Sequence, residues 1–158
     1  MFVWFAALSV VIVALVFRSP AIDYRTVALG ALLPWVDALL GGPRVLHALS
    51  GAVVLLVLVM ATTKRRRLLR RRLLGVPIGM FCHLLLDGTF TTVQAFWWPF
   101  AGTTFASGQV PEIRHLGFSI VLEILGFVVA WWAWRTFGLD RPAARRRFLT
   151  EGRLDLPS

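Results

Sequence analysis

The stretch Lys64 to Asp87, KRRRLLRRRLLGVPIGMFCHLLLD, places seven cations in its first nine residues and then turns apolar, interrupted by one imidazole, His83, and one carboxylate, Asp87. A basic block that stops abruptly at an apolar run reads as a membrane boundary, because Lys and Arg in short loops stay on the cytoplasmic side. Working outward, the 158 residues are 58% hydrophobic, with a mean hydropathy of +0.73. This composition predicts an all-α polytopic helix bundle in a bilayer. The formal net charge of +9 does not argue for nucleic acid, since the cations sit at the ends of apolar segments and are not interleaved with exposed aromatics. No nucleic-acid partner is expected. The single cysteine, Cys82, lies inside an apolar run, cannot form an internal disulfide and reads as a packing residue.

Five apolar segments follow from the hydropathy pattern: Phe2 to Phe17, Thr26 to Leu40, Val45 to Thr63, Leu73 to about Thr92, and Leu116 to Trp134. The first lacks the basic n-region and small-residue cleavage site of a signal peptide and reads as a retained helix. Gly41, Gly42 and Pro43 turn the chain after the second. Several runs fall short of the roughly 20 residues that cross a hydrocarbon core unaided, so packing and local thinning would absorb the mismatch. Arginine counting puts the Lys64 to Arg72 loop and the tail after Arg135 on the same side, which predicts amino terminus out and carboxyl terminus in. The organisation expected is one transmembrane domain over residues 1–138, with a basic cytoplasmic tail over residues 139–158.

Under that topology Asp37, His47, His83 and Asp87 come to the same side of the membrane. Ionisable groups at such depth cost about 2.5 to 3.5 kcal/mol each on insertion scales, so each is a functional-site hypothesis by default. His83 and Asp87 are four residues apart and share one helix face, at a Cβ separation of about 5 to 6 Å. His115, Ser119 and Glu123 repeat the same spacing on the last segment. A lone histidine in an apolar segment is more often a hydrogen-bond partner across helices. A set of two His and two Asp needs a shared compensation, which a divalent cation supplies, and imidazole with carboxylate suits such an ion. Glu123 is open between metal ligand, general base and partner of Arg114. Phe96, Trp97, Trp98, Phe100 and Phe105, with Pro99, Gly102 and Gly108, read as an interfacial aromatic belt, compatible with a lid over the pocket.

The elements Gly30-Ala-Leu-Leu-Pro34-Trp-Val-Asp37, His47 with Ser50, His83-Leu-Leu-Leu-Asp87-Gly88 and Trp98-Pro99-Phe100 resemble the YdjM-like family of membrane-bound metal-dependent hydrolases, which is grouped distantly with zinc-dependent phospholipase C. The resemblance spans about Leu29 to Phe100. It implies Asp37, His47, His83 and Asp87 as metal ligands and a divalent metal, with zinc expected. The implied chemistry is hydrolysis of a lipid or lipid-linked phosphoester at the outer face. In that scheme Glu123 or Asp37 would take the proton of the attacking water, and Arg114 and His115 would contact substrate. The sequence departs from the family at Trp35, where relatives carry an acidic residue directly after the proline. The expected setting is a bacterial plasma membrane, with membrane lipid as partner and a protein partner or homo-oligomer as a further one. The alternative is a catalytically silent membrane subunit that binds a structural metal or lipid. An ion pathway ranks last, because polar residues are few on the cytoplasmic half.

Overall fold

The structure is a computed structural model and describes residues 1–39, 44–103 and 116–156. Among these residues the secondary structure is helical, with no strand. Helix α1, Phe2–Phe17, is an unbroken apolar run that ends where Arg18 turns left-handed at φ 44 and its N–H bonds the Ala14 carbonyl. Helix α2, Tyr24–Leu32, starts at Asp23, whose side chain accepts the Arg25 N–H as an N-cap. The same carboxylate holds the Arg25 guanidinium at 2.7 Å and pushes its pKa further up. α2 stops short because Pro34 has no N–H to continue the ladder. Leu33 closes it with a tighter bond to the Gly30 carbonyl, and the chain resumes as α3, Trp35–Leu39.

A 3₁₀ turn at Val45–His47 leads into α4, Leu49–Thr62. The short basic helix α5, Arg67–Leu73, precedes α6, Gly75–Leu86. α6 ends at Asp87 and at Gly88, whose φ of 70 needs a residue without a Cβ. A 3₁₀ turn at Thr89–Thr91 and helix α7, Val93–Phe96, follow. α8 spans Leu116–Thr136, and α9 spans Pro142–Glu151 with proline in its first turn.

The site rests on the crossing of α2 with α6, which run parallel in near-backbone contact. A Cβ on Gly30 would lie 2.0 Å from the Val76 carbonyl oxygen, and one on Gly79 would lie 2.0 Å from that of Val27. Only glycine permits this approach, and the Gly75-x-x-x-Gly79 spacing is the small-residue pattern of close helix pairs. α1 covers this pair and α8 lies along α1, with Gly126 against the backbone of Trp4. Past Phe137 the chain returns to the body. Tyr24 N–H bonds the Gly152 carbonyl at 2.9 Å, and Leu139 and Leu154 join Val13, Tyr24, Val27 and Phe137 in one core. Each such side chain contributes roughly 1.5 to 3 kcal/mol where water is the alternative.

The five membrane crossings expected from hydropathy are not built. Among the described residues one helix, Gly117–Thr136, is long and apolar enough to cross a membrane, while Phe2–Phe17 and Leu49–Thr62 are shorter apolar helices. At 1.5 Å per residue the sixteen residues of α1 reach about 24 Å, less than a hydrocarbon core of about 30 Å. The second segment is divided at Pro34 and the fourth ends at Gly88. The alternating orientation that rested on five crossings falls with them.

The charge distribution has a simple geometry. The carboxyl ends of α1 and α8 and the amino ends of α2 and α6 meet at one end of the helices. There Thr26 Oγ1 donates to the Arg72 carbonyl and Arg71 Nε to the Ala21 carbonyl. Histidines 47 and 83 lie toward the other end, beneath the first turns of α1.

Candidate metal centre

His47 from the 3₁₀ turn and His83 and Asp87 from the carboxyl end of α6 come together, with one potential ligand atom of each inside a mutual distance of 4.8 Å. His83 is fully buried and His47 is 1% exposed, while Asp87 is half-buried. The two imidazole rings stand edge to face with centroids 5.6 Å apart. His83 is carried one turn beyond Gly79, so the close crossing brings its Nδ1 within 2.6 Å of the Ala31 carbonyl. A carbonyl only accepts, so Nδ1 carries the proton and Nε2 presents the lone pair. The break in α2 at Pro34 is what lets a carbonyl at this helix end take a side-chain partner.

His47 is held in the same way by a carboxylate. Asp37 Oδ2 lies 3.1 Å from His47 Nδ1 and also accepts the backbone N–H groups of Arg44, Leu46 and His47 at 2.9 to 3.1 Å. Four donors on one oxygen stabilise its charge and freeze the 3₁₀ turn that carries the imidazole. Gly51 completes the seat, since a Cβ there would sit 2.0 Å from the Val45 carbonyl oxygen. His47 Nε2 is then the nitrogen that could ligate an ion, and a carboxylate behind an imidazole is the arrangement common around bound zinc. Asp37 stands behind His47, and the three-residue cluster does not include it.

Asp87 is the C-cap of α6, and Thr89 Oγ1 donates to its Oδ2 at 2.7 Å. Phe5 stacks on His83 with centroids 3.9 Å apart, and Phe2 stacks on Trp35 at 4.3 Å. The first turns of α1 thus roof the imidazoles and keep water from one face of His83. Trp35 contributes an aromatic surface here, and its buried Nε1 makes no hydrogen bond among the described residues.

Glu123 is engaged elsewhere. Its Oε1 and Oε2 accept the backbone N–H groups of Val3 and Trp4 at 3.1 and 3.3 Å, so it caps the free amides at the start of α1 from the neighbouring helix. Ser119 is buried on the same helix. Arg114 and His115, expected to contact substrate, lie outside the described residues, as do Phe105 and Gly108 of the aromatic loop. Ser50 Oγ donates to the Trp98 carbonyl at 2.6 Å and ties that loop to α4. Between them opens an apolar groove of about 500 Å³, lined by Leu33, Val45, Leu46, Val54, Trp98 and Phe100 among others. The groove borders the His47 turn directly.

Sequence reasoning found the three clustered side chains from helical spacing and depth. It missed the Ala31 carbonyl, Thr89 and Phe5, which are non-local partners with no sequence signal of their own. It also missed Gly79, which the Gly75 to Gly79 spacing did signal. No protein-family description, curated protein or solved structure matches the chain.

Proposed function

We propose that the chain is a membrane-associated, metal-dependent hydrolase acting on a lipid or lipid-linked phosphoester. The observation that carries this reading is the pair of imidazoles converging with Asp87, each Nδ1 held against an oxygen and one potential ligand atom of each residue within 4.8 Å of the others. His47, His83 and Asp87 would hold the ion, zinc by the nature of the donors, and three protein ligands are the number found where a coordination position is kept for reaction. A bound ion would supply Lewis acidity and a lowered pKa for water. The chain's own groups orient and shield: Asp37 and the Ala31 carbonyl fix the rings, Thr89 positions Asp87, and Phe5 excludes water. The apolar groove beside His47 suits an acyl chain, which favours a lipid over a soluble phosphoester. Exposed apolar side chains along α8, including Phe118, Ile120, Phe127 and Trp131, favour a membrane setting, in keeping with the bacterial plasma membrane expected from the resemblance.

Elemental analysis of the purified protein tests this first. Stoichiometric transition metal is expected in the wild type and its loss in His83→Ala and in the gentler Asp87→Asn. Metal content unaltered in both variants sinks the reading. Metal-dependent release of headgroup or phosphate from a panel of phospholipids and lipid-linked phosphates tests the reaction. A second reading, a silent subunit with a structural ion, is favoured by Trp35 in place of an acid. It gains if metal is present and no member of the panel turns over.

A further inference from the structure

The end of the molecule opposite the histidines carries a large unneutralised positive charge. Among the described residues, none of the seven cations from Lys64 to Arg72 lies within ion-pair distance of a carboxylate. Arg145 and Arg146 on α9 add to it, while Arg141 and Arg147 share Asp155 at 3.7 and 2.7 Å. Beside α5 is a cavity of about 130 Å³ where Arg71 and Arg72 meet Arg153, which follows α9. Two carboxylates also line it, but both are committed, Asp23 to Arg25 at 2.7 Å and Glu151 to Arg153 at 3.1 Å. Arg71 is anchored through Nε to the Ala21 carbonyl at 3.1 Å, which holds the guanidinium at the cavity wall.

Two further observations say what kind of surface this end meets. Leucines stand among the cations, and Leu68 on α5 and Leu149 on α9 are 75% and 62% exposed, the mixture of an element that lies at a lipid interface. The tryptophans of α8 also gather here, with Trp131 and Trp134 exposed and Arg135 over the Trp131 ring at 5.6 Å. Aromatic rings at a helix end beside arginine mark headgroup depth.

We propose that this end docks on anionic phospholipid, with the cavity among Arg71, Arg72 and Arg153 seating one headgroup phosphate. Basic pockets at the ends of membrane helices have the charge and shape for such headgroups. The proposal does not depend on the metal centre. To test it, the full chain is purified in detergent, stripped of lipid and offered phosphatidylglycerol, phosphatidylcholine, inorganic phosphate or a random RNA oligonucleotide, with retained ligand counted by native mass spectrometry. Phosphatidylglycerol should be retained above the other three, less so as salt rises. Combined Arg71→Gln, Arg72→Gln and Arg153→Gln should weaken retention about fivefold per arginine, and lysine at the same positions should keep the preference. Equal retention of the two lipids, tighter binding of phosphate or RNA, or indifference of the wild type to salt each overturns it. The salt series needs no substitution, so a variant that misfolds does not shield the proposal.

Discussion

Asp37 and Glu123 are both acidic residues in apolar surroundings, and the structure gives each a positioning task. Asp37 fixes the ring of His47 through the same oxygen that gathers three backbone amides. Asp37→Asn keeps an acceptor but loses the charge, and is expected to lower metal affinity by about 10- to 100-fold while leaving the helical circular dichroism intact. Competition against a chromogenic chelator measures this, and unchanged affinity refutes the orienting role. Glu123→Gln weakens the cap on α1 and should cost about 0.5 to 2 kcal/mol in thermal unfolding with metal content unaffected. A rate loss of about 10²-fold or more at unchanged stability would instead return Glu123 to the role of general base. Helical spacing put Glu123 on a polar stripe with Ser119. It could not say that the amides of Val3 and Trp4, some 120 residues away, would claim the carboxylate.

Helix boundaries show which part of an element hydropathy can read. The first and last segments emerge nearly as expected, at Phe2–Phe17 and Leu116–Thr136, because nothing in them interrupts the backbone ladder. The second was legible as apolar but not as one helix, since Pro34 removes a donor that composition averages ignore. The third loses its start to the 3₁₀ turn that carries His47, a distortion imposed by Asp37 across the chain. The glycines at the α2/α6 crossing give a test at this scale. Gly79→Ala would push a Cβ against the Val27 carbonyl and is expected to destabilise by about 1 to 3 kcal/mol and to draw His83 away from Ala31, losing metal. Gly117→Ala meets nothing within 4 Å and should stabilise by about 0.5 to 1 kcal/mol. Equal unfolding midpoints for the two variants would show that the close crossing is not required.

At the scale of the molecule, apolar surface is turned outward along α1, α4 and α8, while cations and the histidine pair occupy opposite ends. Val16, Val54 and Trp131 are 69%, 56% and 63% exposed. In vesicles with brominated acyl chains, tryptophan emission should be quenched, and Trp131→Phe should remove part of that quenching. Emission indifferent to bromine would place this surface away from lipid. The contact between His83 and the Ala31 carbonyl joins positions 52 residues apart, and the chain between them must close a long loop for the two to meet. Closing so long an interval is slow relative to forming any single helix. The cluster of His47, His83 and Asp87 therefore cannot assemble in a nascent chain that stops before the end of α6, and any ion it holds would be taken up only after that point.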